Sequence, residues 1–246
     1  MGRYVAVKRY RRLAADNVDV ISFSNEVTCL MSLHHKNIIG FLGFNIQGPD
    51  LYVVTEFMER GSLFDVLAQP ELLTPCTKAH MLQDAVQGVA FLHQCKPPIV
   101  HHDLKSLNLL VSQNYTVKIT DFGVTTGLPP DATTALFVTP GPSGCTIQWM
   151  APELCLQDAI CTTASDIFAI GVIFWEVASC RRPWLRVPHP QILNAILRGE
   201  RLPLNPAWPT PFRDFIKMLW HQNPKKRPSA KAILKRLQVV AIPSSP

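Results

Sequence analysis

The spacing of apolar and polar positions changes near residue 58 of this 246-residue chain. Before that point, short runs rich in β-branched and aromatic residues predict strands over residues 5–8, 35–41 and 51–57. Residues 47–50, with the sequence QGPD, lie between the last two runs and are typical of a turn. The first part of the chain is therefore predicted to be β-rich.

One helix is predicted among these strands. Its apolar face is formed by Phe23, Val27, Leu30 and Met31. Asp19 could cap this helix, and Glu26 borders the apolar face, from which it could reach Lys8 at the end of the first strand. Taken alone, Lys8 and Glu26 are better interpreted as two unrelated surface charges.

Helical spacing dominates after residue 58. Residues 59–62, with the sequence ERGS, break the pattern and mark a boundary between residues 1–58 and residues 59–246. The predicted helices of the second part span residues 63–68, 77–93, 167–179, 191–198, 212–221 and 230–237. The segment 167–179 is apolar nearly all round, so we expect a buried central helix capped by Ser165 and Asp166. The predicted fold class is α+β.

Two β-rich runs, residues 109–111 and 117–119, are joined by a polar turn and predict a hairpin. A hairpin folded there would set Asn108 and Asp121 side by side. Their side-chain oxygens could hold one hard cation, as Mg²⁺ requires. Asp103 would lie nearby as a possible base, and such a set of groups is suited to positioning a phosphoryl group.

Composition narrows the class of protein. The chain is 47% hydrophobic and 17% charged, as in globular proteins, and its formal net charge is +6. A basic chain could bind nucleic acid or acidic membranes, but there is no aromatic interleaving and no nucleic-acid motif, so we expect no nucleic-acid partner. The longest strongly apolar stretch, residues 167–178, is too short to span a bilayer and contains Glu176. We therefore expect no membrane insertion.

The seven cysteines are scattered along the chain and form no CxxC pair, which argues against a zinc site. Their odd number and the absence of a signal peptide indicate a reducing interior. We therefore expect a cytoplasmic protein. The sequence pattern leaves the oligomeric state undetermined.

Several short motifs occur in an order that a known family shares. VAVK at 5–8 is followed by Glu26, HHDLKSLN at 101–108, DFG at 121–123, APE at 151–153, Asp166 and Arg227. Together they resemble the signature set of eukaryotic protein kinases, and the WMAPE string is most similar to the tyrosine-kinase-like group of serine/threonine kinases. The resemblance implies a two-lobed protein-kinase-like fold, with a reduced N-lobe of three strands and one helix and a mainly α-helical C-lobe.

The resemblance implies the catalytic roles residue by residue. Asp103 matches the base that orients the substrate hydroxyl, and Lys105 matches the cation that steadies the transferring phosphoryl group. Asn108 and Asp121 match the residues that bind Mg²⁺. The implied cofactors are therefore ATP and Mg²⁺.

The resemblance also implies where the nucleotide binds. Lys8 matches the lysine on the α- and β-phosphates of ATP, held by Glu26, which reverses the interpretation of that pair taken alone. Around the adenine base, Thr55 matches the gatekeeper, and Glu56 and Met58 match the residues whose backbone groups contact adenine. Ser62 matches the residue that contacts the ribose, and Ala6 and Leu110 match the residues on either side of the adenine ring. The stacked apolar column that marks an assembled site matches Leu30, Phe41, His101 and Phe122.

The substrate class rests on Lys105 and Thr146. Tyrosine kinases usually replace that lysine, and Thr146 matches a threonine that bonds the catalytic aspartate and lysine of serine/threonine kinases. The implied partner is a protein substrate that presents serine or threonine. Glu153 and Arg227 match a buried ion pair, whose disruption typically costs about 3–5 kcal/mol, so we expect a folding role for it.

One departure from the family pattern is His102, where most kinases have an arginine that clamps a phosphate on the activation loop. Histidine is mostly neutral at pH 7 and cannot form this fork. The hydroxyls that could still be phosphorylated are those of Thr125, Thr126, Thr133, Thr134, Thr139 and Ser143. We therefore expect activity to depend little on such phosphorylation.

A second departure is the start of the chain, where only four residues precede VAVK and no glycine-rich loop is present. Either the sequence is a fragment or a mis-started gene product, or the chain lacks the loop natively. Two functions remain open: an ATP:protein phosphotransferase acting on serine or threonine, and a non-catalytic kinase-like interaction module. The joint presence of Asp103, Lys105, Asn108 and Asp121 favours the enzyme.

Overall fold

A computed structural model describes residue 2 and residues 4–11, 18–127, 146–156 and 159–243. Its first part contains a three-stranded antiparallel sheet with the order β1-β3-β2. The strands are β1 (Val5–Arg11), β2 (Phe41–Gln47) and β3 (Asp50–Glu56). Strand β3 lies in the centre, and its pairing sets Ala6 and Phe41 on either side of Thr55. The three-stranded sheet predicted for the first part is confirmed.

The second strand was predicted in the wrong place, because residues 35–41 were expected to form it and β2 begins only at Phe41. Ile38 and Ile39 are β-like and buried, but their backbone groups bond elsewhere. The Ile39 N–H donates to the carbonyl of Ile119, and Ile38 forms a parallel bridge with the same residue. This segment therefore joins the sheet to the second part of the chain instead of extending the sheet.

Helix α1 (Val18–Ser32) packs on the sheet. Phe23, Val27 and Leu30 of the predicted apolar face are buried, but Met31 is 57% exposed and was wrongly placed there. Asp19 lies inside the helix, which begins at Val18, so the prediction that Asp19 caps it was also wrong. Four residues at helical spacing cover an arc wider than the surface that one small sheet can bury.

The second part is mainly helical within the described residues. Its helices are α2 (Leu63–Val66), α3 (Pro75–Gln94), α4 (Thr163–Ser179), α5 (His189–Leu197), α6 (Thr210–Leu219) and α7 (Ala230–Leu237). Helix α4 is buried over most of its length and contacts α3 and α6, as expected of a central helix. Its N-cap is Thr162, which forms a capping box with Ser165. The predicted cap at Ser165 and Asp166 was therefore wrong, since both lie in the first turn.

Two pairs of short strands complete the fold around the predicted motifs. Strands β5 (Leu109–Val111) and β6 (Val117–Ile119) pair as the predicted hairpin, and β4 (Ile99–Val100) pairs with β7 (Thr126–Gly127). These pairings hold the HHDLKSLN and DFG segments next to one another. The α+β class and the two-part arrangement are confirmed, while the boundary between residues 58 and 59 stays a prediction. Among the described residues, no helix is both long and apolar enough to cross a membrane.

Candidate active site

The Asp103 carboxylate is the centre of a hydrogen-bonded group between β4 and β5. Lys105 Nζ donates to Asp103 Oδ2 over 2.5 Å and to the Thr146 hydroxyl over 2.8 Å. The Thr146 hydroxyl in turn donates to Asp103 Oδ1 over 3.2 Å. Asn108 Nδ2 donates to the backbone carbonyl of Asp103 and to Oδ2, over 2.9 and 3.1 Å. Both oxygens of the carboxylate are thus fixed, and 23% of the side chain remains exposed.

A second charged group is formed around Lys8, whose Nζ lies 3.0 Å from Glu26 Oε2 and 2.7 Å from Asp121 Oδ1. The Tyr10 hydroxyl also donates to Glu26 Oε2. Burial alone would lower the pKa of Lys8, but the carboxylates of Glu26 and Asp121 raise it above its usual range. The same ammonium lowers the pKa of Asp121, although burial opposes the shift. Lys8 and Glu26 are therefore paired, and the interpretation as unrelated surface charges was wrong.

The β5–β6 hairpin brings the two predicted Mg²⁺ ligands to the same edge. Leu109 pairs with Ile119, and the Thr120 N–H donates to the Asn108 carbonyl over 3.0 Å, so Asn108 lies next to the residue before Asp121. Because the Asn108 amide nitrogen bonds Asp103 and one oxygen of Asp121 bonds Lys8, one oxygen of each side chain is left for a ligand.

Two side-chain oxygens fit a hard cation such as Mg²⁺, which usually takes one or two protein ligands and completes its shell with water and phosphate oxygens. Within the described ranges, no group of three or more His, Cys, Asp or Glu residues could hold a metal. The two protein oxygens therefore suit an ion that is also bound by the phosphates of a nucleotide better than an ion held by protein ligands alone.

The predicted nucleotide cleft lies between the sheet and the β5–β6 hairpin. Ala6 pairs with Thr55 in the sheet, and Ser62 forms a bridge with Leu110. The Glu56 N–H already donates to the Gly40 carbonyl over 2.9 Å, so only the Glu56 carbonyl can meet adenine. The predicted backbone contact of Glu56 with adenine is therefore limited to its carbonyl group.

Two further cleft residues have part of their hydrogen-bonding capacity in use. The Met58 carbonyl accepts from the Gly61 N–H, so the Met58 N–H is the group that could face a base. The Ser62 hydroxyl donates to Asp65 Oδ2 over 2.6 Å and accepts from the Asp65 N–H, which caps α2. Ser62 is 6% exposed, so little of its surface is available for the predicted contact with ribose. The ribose role stays a prediction.

Comparison with known proteins identifies the family. The profile described as protein tyrosine and serine/threonine kinase matches residues 2–237. The chain belongs to the protein kinase family. Kinase relatives include the "Putative serine/threonine-protein kinase/receptor R831" of Acanthamoeba polyphaga mimivirus, 33% identical over 237 residues. The "Probable serine/threonine-protein kinase drkC" of Dictyostelium discoideum is 34% identical over 243 residues, and the "Serine/threonine-protein kinase CTR1" of Arabidopsis thaliana is 35% identical over 241 residues.

These alignments cover 96%, 97% and 96% of this chain, respectively. They cover only 14%, 32% and 29% of the three relatives, so the chain spans less than a third of the length of each. The resemblance to serine/threonine kinases is thus confirmed for the kinase domain.

Other contacts expected of a kinase are also formed. The Phe122 ring is fully buried, and its centroid lies 5.1 Å from that of His101, while Leu30 is 1% exposed and Phe41 packs at the edge of the same core. Arg227 donates to both carboxylate oxygens of Glu153 over 2.6 and 2.7 Å, which gives the expected ion pair a bidentate geometry.

Only two of the six residues that could be phosphorylated, Thr125 and Thr126, are among the residues that the structure describes. Thr133, Thr134, Thr139 and Ser143 lie outside the described residues. The backbone of Thr126 belongs to β7. Thr125 is 5% exposed, and its buried hydroxyl makes Thr125 a poor phosphorylation site in this conformation.

Asp166 has a role that the sequence motifs did not reveal. Its carboxylate accepts hydrogen bonds from the backbone N–H groups of His101 and His102 over 3.0 and 3.2 Å. His93 Nε2 lies 2.9 Å from Asp166 Oδ2. Burial alone would raise the pKa of Asp166, but the contact with His93 and the bond from His101 lower it. Asp166 therefore anchors the start of the kinase catalytic loop to α4.

Glu176 is a second residue that sequence reasoning missed. Its Oε1 accepts from the Ser106 hydroxyl over 2.8 Å, and its Oε2 accepts from Trp149 Nε1 over 2.6 Å. Ser106 lies in the catalytic loop, and Trp149 follows Thr146 by three residues, so one carboxyl connects both segments. Burial raises the pKa of Glu176 to about 8. An acid inside an apolar run of residues was the signal for it in the sequence.

Proposed function

We propose that the chain transfers the γ-phosphoryl group of ATP to serine or threonine hydroxyls of protein substrates, in intracellular signalling. The observation that carries this proposal is the closed hydrogen-bonded group of Asp103, Lys105 and Thr146, placed beside the paired charges of Lys8 and Asp121. Phosphoryl transfer needs little covalent chemistry from the protein. It depends on positioned charges around the reacting oxygens, and these groups supply them.

Asp103 is suited to orient the substrate hydroxyl and to accept its proton. Its carboxylate is held on both oxygens, which limits its rotation, and the exposed part of the side chain leaves room for a hydroxyl. Lys105 keeps a positive charge next to this carboxylate, where negative charge develops on the transferred group. A substrate hydroxyl that bonds Asp103 would therefore lie next to that charge.

Lys8 and the two ligand oxygens at Asn108 and Asp121 are suited to bind the ATP phosphates. Lys8 is held by Glu26, and its side chain is 43% exposed, so its ammonium can contact a phosphate without leaving its partner. When bound, Mg²⁺ supplies positive charge that neutralises the phosphate oxygens. The residues of this chain contribute the ligand oxygens and keep them on one edge of the hairpin.

Serine or threonine, and not tyrosine, is supported by Lys105 and Thr146. The two side chains bond each other and Asp103, which is the arrangement expected of serine/threonine kinases. The three relatives named above also bear that activity in their names. A cytoplasmic location is part of the proposal, because Cys29, Cys76 and Cys95 are free thiols, as is usual in a reducing compartment.

The test is transfer of radioactive phosphate from [γ-³²P]ATP to a general protein substrate in the presence of Mg²⁺. Asp103→Asn is expected to lower kcat by about 100-fold or more, because the amide cannot accept a proton. Asp214→Asn is the matched control, since Asp214 is 56% exposed on α6 and pairs with the surface residue Lys217. It should leave kcat unchanged.

Two outcomes would contradict the proposal. Equal activity of the wild type and Asp103→Asn would show that Asp103 takes no part in the reaction. Tight binding of Mg²⁺-ATP with no transfer by the wild type would favour the alternative of a non-catalytic interaction module. Asp121→Asn should weaken Mg²⁺-dependent nucleotide binding in either case.

A further inference from the structure

A small cavity lies between α2 and the end of α4. Its volume is about 130 Å³, and its wall includes Phe64 and Leu67 from α2, Glu176 from α4, and Arg181 and Arg182 from the segment after α4. The candidate active site described above does not use the two arginines. The cavity is large enough for one side chain and too small for a cofactor.

The cavity is adjacent to the catalytic loop. Glu176, which forms part of its wall, accepts a hydrogen bond from Ser106, and Ser106 is the residue after Lys105. Helix α2 also contacts the short 3₁₀ helix Ser106–Asn108. The catalytic loop that carries Asp103 and Lys105 is therefore adjacent to this cavity.

The cavity wall carries an excess of positive charge. Arg181 and Arg182 are both exposed, and no ion pair joins either of them to an acid in the described parts of the chain. The Arg182 guanidinium lies 4.3 Å from the centre of the Phe64 ring, which holds its planar face and leaves its N–H edge available.

Glu176 does not balance these two charges. Both of its oxygens accept hydrogen bonds from Ser106 and Trp149, and neither arginine is paired with it. Burial raises the pKa of Glu176 to about 8, so at neutral pH this carboxyl is mostly uncharged. The cavity therefore presents two guanidinium groups and almost no negative charge.

We propose that Arg181 and Arg182 form a subsite for an acidic side chain of the protein substrate, so that the chain prefers serine or threonine near a carboxylate or phosphate. This inference rests on the proposed function and specifies its substrate class. A guanidinium offers paired N–H donors that match two oxygens of one anion. Because the cavity holds a single side chain, a peptide residue fits it better than a nucleic-acid backbone or a membrane surface would.

The test compares peptides that contain one serine among neutral residues. In one set, glutamate replaces each of the flanking residues in turn. At one or two positions, glutamate is expected to raise kcat/KM about tenfold, mainly through KM, which corresponds to about 1.4 kcal/mol. Phosphoserine at the same positions distinguishes a preference for substrates that are already phosphorylated from a preference for acidic sequence.

Charge reversal at the subsite provides the second arm. Arg181→Glu and Arg182→Glu should abolish the preference for glutamate and leave kcat on the neutral peptide unchanged. Arg182→Lys keeps the charge and should retain part of the preference. Arg198→Glu is the matched control, because Arg198 is exposed at the end of α5 and its reversal changes the net charge by the same amount.

The outcomes separate this inference from the proposed function. Equal kcat/KM for neutral and acidic peptides, in an active wild type, would overturn the subsite alone. Equal loss of the preference in Arg198→Glu would attribute it to net charge and would also overturn the subsite. If the wild type transfers no phosphate, fluorescence anisotropy still decides. Binding of the acidic peptide about tenfold tighter than the neutral one, lost in Arg182→Glu, would support the subsite, and equal binding would refute it.

Discussion

Asp103 and Lys8 illustrate which parts of the site can be predicted from single residues. The spacing of Asp103, Lys105 and Asn108 within one loop is local, so these residues are close together wherever the loop folds. The pair of Lys8 and Glu26 is separated by 18 residues, and its charges alone do not reveal that they meet. In the sequence, only the order of several motifs along the chain indicates that Lys8 and Glu26 form a pair.

The residues that sequence reasoning missed are anchors whose partners are distant in sequence. Asp166 lies 65 residues after His101, and Glu176 lies 70 residues after Ser106. Their function depends on a buried carboxyl that meets donors from another element. Hydrophobic periodicity gives no information about such contacts, because a buried polar residue only interrupts the pattern.

His102 provides a prediction at this scale. Burial lowers the pKa of His102, so the ring is neutral at pH 7 and does not attract a phosphate as an arginine does. Treatment of the purified protein with a phosphatase is therefore expected to change its activity by less than about twofold. Mass spectrometry before and after treatment must show that phosphate was present and was removed. A loss of most of the activity would contradict the prediction.

Among the secondary-structure elements, those predicted well have a strong pattern and a clear boundary. Helix α7 was predicted with its observed ends, and the β5–β6 hairpin follows from two β-rich runs around a polar turn. The second strand was misplaced because Ile38 and Ile39 are buried through contacts with β6, outside the sheet. Buried β-branched residues often belong to a strand of a sheet, but Ile38 and Ile39 are buried by tertiary contacts without pairing in the sheet.

Helix α4 holds the catalytic loop through Glu176, which leads to a prediction on stability. The pKa of Glu176 is about 8 in the fold against 4.5 as its reference value. Between these values the folded protein keeps a proton that the unfolded chain has lost, so stability falls as pH rises from about 4.5 to about 8. Glu176→Gln cannot titrate, and its amide can accept from Trp149 and donate to Ser106.

The stability of Glu176→Gln relative to the wild type is therefore expected to increase between pH 5.5 and pH 7.5, by an amount on the order of a few kcal/mol. Urea unfolding at the two pH values measures the difference. Glu71→Gln, at an exposed position in the turn Pro70–Leu72, is the control and should parallel the wild type. A constant difference between Glu176→Gln and the wild type would show that the Glu176 carboxyl is already ionised in the fold.

At the scale of the whole molecule, the two charged groups of the site come from different parts of the fold. Lys8 and Glu26 belong to the sheet and α1, and Asp103, Lys105 and Asp121 belong to the segments around the β5–β6 hairpin. The contact between Lys8 and Asp121 joins them directly. The family profile matches residues 2–237 and therefore covers both parts.

The overall basic charge also has a more specific interpretation at this scale. The net charge of +6 does not by itself exclude any class of binding partner. A basic chain could bind nucleic acid or acidic membranes. The structure places Arg181 and Arg182 at a cavity beside the catalytic loop. Under the subsite proposed above, this part of the basic charge would serve to bind an acidic protein substrate.

The most direct test of the central claim is phosphoamino-acid analysis of a protein substrate labelled by the purified chain with [γ-³²P]ATP and Mg²⁺. We expect the label on phosphoserine and phosphothreonine, with no label after substitution of Asp103 by asparagine. Label on phosphotyrosine would contradict the substrate class assigned to Lys105 and Thr146. No label from the wild type, under conditions where ATP binds, would contradict the assignment of a phosphotransferase.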